Sequence, residues 1–295
     1  MIICLSCGST VTESQTRTDI YSCTVCGKQP PTINGFVSWA PELARINDGF
    51  PADGFKQLVE VEANSFWFRS RNALILWALE QYSPEFTSLL EIGCGTGFVL
   101  KGIAEKFHNA KVTGSEIYST GLIYAARRSP TSKFVQLDAR RLPYKDEFDV
   151  IAAFDVIEHI AEDSKVLENI HQALKSNGLC LITVPQHQWL WSAVDVEACH
   201  QRRYSASELH QKLVLAGFQV LKSTSFVTLL LPLMLLARLP STLKNNSKAS
   251  VGLGLSPTLD KVLAVIMSIE RSLIRLGVTF PVGGSRLVIA RKTGQ

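Results

Sequence analysis

The sequence predicts an α/β protein built on a mostly parallel sheet, with a small cysteine-rich module before it. Three observations point to this fold: a glycine-rich segment at residues 91–97, a series of apolar segments that end in acidic residues, and two Cys-x-x-Cys pairs near the N-terminus. At 295 residues, the chain is long enough for one large domain with attachments. Its net charge of +4 is modest and does not by itself argue for a nucleic-acid partner.

The two cysteine pairs come first along the chain and predict a four-cysteine zinc ribbon over residues 1–37. Each pair is followed by glycine, and fifteen residues separate the pairs, which is a spacing typical of zinc ribbons. A closed shell of four thiolates leaves no open position for a substrate, so we expect the metal to be structural. Two disulfides are the alternative, which a reducing compartment disfavours. The predicted zinc ligands are Cys4, Cys7, Cys23 and Cys26.

The segment that follows, residues 38–82, is expected to be irregular at first and then helical. Prolines and Asp-Gly pairs interrupt residues 38–57, whereas the sequence from Val59 to Tyr82 indicates one or two helices. These helices carry several aromatic residues, which are expected to pack against the sheet.

The glycine-rich segment Glu91-Ile-Gly-Cys-Gly-Thr-Gly97 lies between a strand pattern and a helical pattern. Glycines at alternate positions permit a tight turn and the close approach of a ligand, and the helix that follows directs its free N–H groups there. A dinucleotide-binding loop would have its third glycine at position 98, where this chain has Phe98. The spacing therefore disfavours a dinucleotide; taken alone, it is also compatible with a tight connection that binds nothing.

Further strand patterns follow the glycine segment, and three of them end in an acid. Glu116 ends the second strand and lies nineteen residues after Gly97, where a βαβ unit places a carboxylate beside a ribose diol. Asp138 ends the third strand, and Asp155 ends the fourth. The remaining strands are predicted at 179–185, 218–225 and 285–291.

The glycine segment and the acid-ended strands together resemble the class I S-adenosylmethionine (SAM) dependent methyltransferases, in a type 11/12-like branch. The resemblance covers about residues 60–225 and 285–292. It implies SAM as the cofactor, with Asp138 close to the adenine amino group. The cofactor-binding residues that it implies are Glu91, Gly93, Gly95, Gly97, Glu116, Asp138, Ala139 and Asp155.

The resemblance also implies the organisation of the chain. The expected fold is a Rossmann-like sheet of seven strands whose last two are antiparallel. Residues 38–82 would form a helical lid over the cofactor pocket, and residues 83–295 the methyltransferase domain, with a helical insertion at 226–284 before the last strand.

The loops after the fourth and fifth strands are expected to hold the methyl acceptor, because α/β enzymes bind substrates beyond the carboxyl ends of their strands. An oxygen acceptor needs a base within hydrogen-bond reach. The candidate bases are His159, His187 and His200, together with Asp195. Arg202 and Arg203 either bind an anionic acceptor or form surface salt bridges.

A resemblance to methyltransferases of bacterial polysaccharide and lipid-linked sugar pathways rests on four motifs: Phe66-Trp-Phe68, His187-x-Trp-Leu-Trp191, His200-x-Arg-Arg-Tyr204 and Phe280-Pro-Val-Gly-Gly284. It implies O-methylation of a small or lipid-linked acceptor. The alternatives are an RNA or sugar C-methyltransferase, and a SAM-binding assembly protein without efficient turnover. The near-neutral ribbon argues against nucleic acid, because binding along a phosphate backbone requires basic residues.

The segment 226–280 is more apolar than a connection between two strands requires. Leu229–Leu236 is too short to span a bilayer, and residues 258–276 indicate an amphipathic helix. The pair packs on the core or on a partner, including a second copy of the chain, or it lies at a membrane surface. The basic residues that would then face headgroups are Arg238, Lys244, Lys248, Arg271 and Arg275.

The N-terminus shows no signal-peptide pattern, since cysteines follow directly where a basic segment and a long apolar segment would be needed. The expected location is therefore cytoplasmic, or peripheral at the inner face of the membrane.

Overall fold

The computed structural model of the chain describes residues 1–11, 21–45, 52–238 and 255–294. The strands are β1 (Ile2–Ile3), β2 (Thr10–Val11), β3 (Thr32–Ile33), β4 (Phe36–Ser38), β5 (Ser88–Ile92), β6 (Lys111–Glu116), β7 (Lys133–Gln136), β8 (Phe148–Phe154), β9 (Leu174–Pro185), β10 (Phe218–Phe226) and β11 (Ser285–Lys292). The α-helices are α1 (Ala52–Val61), α2 (Phe66–Tyr82), α3 (Phe98–Lys106), α4 (Ser119–Arg128), α5 (Asp163–Ala173), α6 (Ala193–Glu197), α7 (Ala206–Leu215), α8 (Leu231–Arg238) and α9 (Pro257–Arg275).

The main sheet has the order β10-β11-β9-β8-β5-β6-β7-β4-β3. Strands β9, β8, β5, β6 and β7 run parallel, and β11 is antiparallel to both of its neighbours. The α/β Rossmann-like fold predicted from the sequence is thus confirmed, including its antiparallel final pair.

The sheet contains two strands beyond the expected seven, because the hairpin β3–β4 adds to the edge strand β7. Asn34 and Gly35 form its turn with φ of 52° and 86°, and Asn-Gly is a strong hairpin signal because both residues tolerate positive φ. The last residues of the predicted ribbon therefore belong to the edge of the main sheet.

The core of the sheet is apolar on both faces, as expected when helices cover a parallel sheet. Consecutive residues point to opposite faces: Leu89 and Val150 join the cluster that contains α2 and α3 residues, whereas Leu90 and Ile151 join the cluster on the other face. This two-sided burial fixes the strand register, and with it the loops at the carboxyl ends of the strands.

The N-terminal cysteine-rich module shares a core with the sheet. Ile2 and Tyr21 are buried in the same apolar cluster as sheet residues, and Ile3 N donates a hydrogen bond to Pro143 O at 2.8 Å. The Tyr21 ring also packs on Trp39 at a centroid distance of 5.6 Å. The module therefore packs against the domain that contains the main sheet.

The insertion before β11 packs partly on the core. Leu263, Met267 and Ile274 on α9 are buried against the face that carries α2. The buried carboxylate of Glu270 accepts hydrogen bonds from three backbone amides at 227–229, at 2.6, 2.6 and 2.8 Å. One face of α9 therefore packs on the core, which is one of the alternatives that the sequence left open.

The opposite face of the insertion remains exposed. Apolar residues with at least 40% of their surface exposed are Leu233, Leu235 and Leu236 on α8, and Leu259, Val262, Val265 and Ile269 on α9. No helix in the described ranges is both long and apolar enough to cross a bilayer. Lys244 and Lys248, two of the basic residues considered for a membrane surface, lie outside the described residues, and so does the side chain of Arg238.

Candidate functional site

A cavity of about 750 Å³ opens at the carboxyl ends of β5, β6, β7 and β8. This is within the size range of small-molecule sites, and it lies where α/β folds bind their ligands. Six of the residues predicted to bind the cofactor line the cavity: Gly93, Gly95, Glu116, Asp138, Ala139 and Asp155.

The three glycines of the loop after β5 all have positive φ, yet they serve different ends. A Cβ atom on Gly93 would lie 2.5 Å from Val156 Cγ2, and one on Gly97 would lie 2.9 Å from Ala125 Cα. Gly93 and Gly97 are therefore required for packing. A Cβ on Gly95 would meet nothing within 4 Å, so the backbone of Gly95 is open to a ligand in the cavity.

The Glu116 carboxylate is fixed at the end of β6 beside this loop. It accepts hydrogen bonds from Gly95 N at 3.1 Å and from Ile117 N at 2.9 Å. Burial raises the pKa of Glu116, against the lowering effect of these backbone donors. A buried carboxylate held against the glycine loop is suited to accept hydrogen bonds from the hydroxyls of a ribose.

Asp138 follows β7 at the same edge of the sheet, and Arg140 closes over it. Arg140 Nε lies 2.9 Å from Asp138 Oδ2, and Arg140 N donates to Asp138 Oδ1 at 2.9 Å. Ala139, between them, is buried and lines the cavity. Asp138 is thus at the cavity wall with a cationic partner, which the sequence pattern did not indicate.

Two other predicted cofactor residues support the loop from beneath. Gly97 packs on α4, and Glu91 is buried within β5 outside the cavity lining. Burial raises the pKa of Glu91 to about 8, although the nearby Arg71 guanidinium opposes the shift. Arg71 instead pairs with Asp155, whose carboxylate lies 2.6 Å away at the cavity wall.

The expected lid is partly described and touches the cavity. Phe55 and Leu58 on α1 line it. Glu62, just after α1, accepts a hydrogen bond from the Thr96 hydroxyl at 2.7 Å and pairs with Arg128 of α4. This buried triad ties the lid to the glycine loop, and Glu62 was not recognised from the sequence because Thr96 and Arg128 lie far along the chain.

His159 and His200 meet in the cavity wall, beyond the carboxyl end of β8. Their ring centroids are 4.8 Å apart, and both residues line the wall. Burial lowers the pKa of His159 to about 4, with a further contribution from His200, so its ring is neutral near pH 7. His200 Nδ1 lies 2.9 Å from Asp195 Oδ1, and Arg203 Nε donates to the same oxygen at 2.7 Å.

His187, the third candidate base, lies outside the cavity lining. Its ring stacks on Trp189 at 5.1 Å, and its φ of 63° turns the chain directly after β9. The arginines considered as anion binders are also occupied: Arg202 pairs with Asp163 at 2.8 Å, and Arg203 pairs with Asp195. The acceptor end of the cavity is therefore built around His159 and His200.

Glu158 is a site residue that the sequence analysis missed. It directly precedes His159, it is fully buried, and its Oε1 lies 4.0 Å from His200 Nε2. Neither carboxylate oxygen has a hydrogen-bond partner in the described part of the chain. The signal in the sequence was the adjacent Glu-His pair after an acid-ended strand, which can place two ligating side chains together.

The four cysteines of the ribbon lie close together near the N-terminus. Their sulfur atoms lie within 4.8 Å of one another, with Cys4–Cys26 and Cys7–Cys23 distances of 3.6 Å. Tetrahedral zinc with ~2.3 Å Zn–S bonds has sulfur–sulfur edges of about 3.8 Å, so the cluster is compatible with zinc. The glycine after each pair has positive φ and donates its amide to the carbonyl of the first cysteine at 2.8 Å.

Comparison with known proteins agrees with the geometry of the cavity. Residues 90–182 match the methyltransferase domain family. A Mycobacterium tuberculosis protein named probable S-adenosylmethionine-dependent methyltransferase is 25% identical over 170 residues, which are 56% of this chain and 60% of that protein. A ubiquinone biosynthesis O-methyltransferase of Rickettsia prowazekii is 27% identical over 97 residues, covering 32% of this chain and 38% of the relative.

Solved structures support the same fold. Phosphoethanolamine N-methyltransferase 2 of Haemonchus contortus, in complex with SAM, superposes with a TM-score of 0.57 at 19% identity, covering 90% of this chain and 62% of the other. The chain spans about 60% of the length of the M. tuberculosis relative. The fold, the glycine loop and the methyltransferase domain matched over residues 90–182 together support a class I SAM-dependent methyltransferase.

Proposed function

We propose that this protein transfers a methyl group from SAM to an oxygen atom of a small or lipid-linked acceptor. The observation that carries the proposal is a single cavity that joins the Gly95–Glu116 wall to the His159–His200 pair. Relatives named as O-methyltransferases support the class of acceptor atom.

The cofactor end of the cavity fits SAM by its own residues. The open backbone at Gly95 admits a ligand, Glu116 presents carboxylate oxygens to a ribose, and Asp138 and Ala139 bound the space for an adenine. When bound, SAM supplies a methyl group on a positively charged sulfur, open to in-line attack by a nucleophile. Arg140 has to yield part of its contact with Asp138 if that carboxylate is to bind the adenine amino group.

The acceptor end provides groups for positioning and proton removal. An acceptor hydroxyl must lie near the methyl group and lose its proton as the new bond forms. Asp195 orients His200, and His159 is held neutral, so we assign this pair of imidazoles to positioning the acceptor hydroxyl and promoting the loss of its proton. His187 is given no role in this scheme, because it does not line the cavity.

The exposed apolar face of α8 and α9 supports an acceptor at a lipid surface. It extends over both helices, and Arg271 and Arg275 supply positive charge on α9. Peripheral proteins bind anionic bilayers through this combination of apolar side chains and basic residues.

We also assign one structural zinc ion to the four thiols of the ribbon. Cys4, Cys7, Cys23 and Cys26 fill all four positions of a tetrahedral shell, so the ion is assigned to holding the module together.

The test of the function is formation of S-adenosylhomocysteine by the purified full chain given SAM and fractionated acceptor pools. Small polar metabolites, saccharides and extracted lipids are supplied separately, and products are identified by mass spectrometry as O-methyl derivatives. Gly95→Arg is expected to abolish turnover by filling the cavity, whereas Gly294→Arg, at an open position near the C-terminus, is the matched control.

Three outcomes would contradict the proposal in different ways. Methyl transfer to an added RNA fraction would assign a nucleic-acid acceptor. A C-methyl product would assign a carbon acceptor. SAM binding without S-adenosylhomocysteine from any pool would favour the assembly protein.

A further inference from the structure

Three side chains that can act as metal ligands, those of Glu158, His159 and His200, converge at the acceptor end of the cavity. One carboxylate oxygen of Glu158 and one ring nitrogen each of His159 and His200 lie within 4.8 Å of one another. Glu158 is 0% exposed, and both of its oxygens are without hydrogen-bond partners in the residues described. Burying an unpaired charged carboxylate is costly, and a bound cation would offset that cost here.

The surrounding residues orient these ligands. His200 places Nδ1 on the Asp195 carboxylate at 2.9 Å, which leaves Nε2 facing Glu158 at 4.0 Å. Asp195 is itself held by Arg203 Nε at 2.7 Å and by Ser192 N at 2.8 Å. A carboxylate on the remote ring nitrogen is the usual way in which proteins orient a metal-binding imidazole.

We propose that Glu158, His159 and His200 bind a divalent first-row transition-metal cation at the acceptor end of the cavity. Two imidazole nitrogens and one carboxylate oxygen suit Mn²⁺, Fe²⁺, Co²⁺ or Zn²⁺ better than Ca²⁺ or Mg²⁺. Both histidines line the cavity, so the remaining coordination positions face the space assigned to the acceptor. The ribbon is a separate site, because its four ligands are soft thiolates.

The proposal deepens the proposed function and rests on it for the identity of the acceptor. The cation binds the acceptor hydroxyl oxygen and increases its acidity, and the proton passes to a solvent water. The oxygen then forms a bond to the methyl carbon while the carbon–sulfur bond breaks, and sulfur keeps that electron pair. His159 and His200 act as ligands in this scheme, and the cation promotes the proton loss.

The site is tested by binding of Mn²⁺ alone, without SAM or acceptor. The full chain, prepared with one zinc per chain, is titrated with Mn²⁺, and free Mn²⁺ is followed by electron paramagnetic resonance. We expect one Mn²⁺ per chain beyond the zinc. Glu158→Gln and His200→Gln are expected to weaken it at least tenfold, and Asp195→Asn about 10–100-fold through its effect on His200.

Glu168→Gln is the matched control, since Glu168 is exposed on α5 and pairs with Lys165. Circular dichroism and SAM calorimetry establish that each variant folds, because Glu158 and Asp195 are buried. Unchanged Mn²⁺ affinity in folded Glu158→Gln and His200→Gln would overturn the site.

A second arm uses Zn²⁺ with total metal analysis, and failure of both ions to bind beyond one zinc would also overturn the proposal. Turnover separates this inference from the proposed function. Loss of methyl transfer after chelation, restored by Mn²⁺ or Zn²⁺, supports the cation. Full methyl transfer by metal-depleted protein would eliminate the cation and leave the methyltransferase proposal standing.

Discussion

Glu91 illustrates how a single residue in this chain depends on its surroundings. Its carboxyl group is buried in β5 under the glycine loop, with one oxygen that has no hydrogen-bond partner among the described residues. Burial raises its pKa to about 8, and the charges of Glu116 and Glu62 add to this effect. The folded protein therefore favours the protonated form.

Replacement of Glu91 by glutamine is expected to become more favourable as pH rises. The pKa of an unfolded glutamate is ~4.3, so the stability contributed by the neutral carboxyl is fully present below that pH and is lost as pH approaches about 8. In the SAM-free protein, the melting temperature of Glu91→Gln relative to that of the wild type should increase between about pH 5 and about pH 8. The exposed Glu105→Gln is the control, and a constant difference across this range would contradict the assignment.

Glu116 is the residue on which recognition of the cofactor ribose is expected to depend. Glu116→Ala should weaken SAM binding by roughly 1–3 kcal/mol, because it removes the acceptor for buried donors. Isothermal calorimetry measures the change, and Glu105→Ala serves as the control. Unchanged SAM affinity, or tighter binding of NAD than of SAM, would refute the cofactor assignment.

Among the elements of the fold, the N-terminal ribbon is the one whose stability depends most on a metal. Cys23→Ser is expected to lose the zinc and to lower the stability of the whole chain, because Tyr21 and Cys23 share an apolar cluster with the sheet. Metal analysis after gel filtration should give one zinc fewer for Cys23→Ser than for the wild type or for Cys199→Ser. SAM affinity should remain largely intact in Cys23→Ser, and retention of zinc there would contradict the four-cysteine site.

The strand-to-insertion junction shows how an element is held in an unfavourable conformation. Val227 has a φ of 60°, a conformation that β-branched residues rarely adopt. The Glu270 carboxylate on α9 binds the amides of this residue and of the two that follow it. Helix α9 therefore fixes the end of β10 as well as covering the core.

At the scale of the whole molecule, the exposed apolar face of α8 and α9 has two candidate occupants, a lipid surface and a second copy of the chain. We expect the chain to float with liposomes through its exposed apolar side chains, and more strongly with anionic lipid because Arg271 and Arg275 add positive charge to α9. Leu233→Glu and Ile269→Glu should abolish flotation. Leu215→Glu, at an exposed apolar position on α7, should not.

Flotation and association are distinguished by light scattering. Absence of flotation at low salt, together with a concentration-dependent dimer that Ile269→Glu converts to a monomer, would replace the membrane by a second copy of the chain. If the chain is a monomer and does not float, neither a membrane nor a second copy of the chain covers this face.

The sequence by itself determined the fold class, the glycine loop, the acid-ended strands and the cysteine pairs. Each of these is visible as a local pattern: Gly93, Gly95 and Gly97 provide the positive φ that one turn requires, and the cysteine pairs belong to two short turns that each end in glycine. Alternation along strands similarly fixed the two faces of the sheet. Such features could be predicted because their physical cause lies within a few residues.

Only the tertiary structure decided which side chains meet. Asp195 selects the orientation of His200, Glu158 joins the two histidines, and His187 stays out of the cavity although its neighbours suggested a catalytic role. These outcomes depend on how the loops after β8 and β9 pack together, which no short window of sequence contains. Glu158 and His159 follow β8 whereas His200 follows β9, and only the folded molecule brings these three side chains within reach of one another.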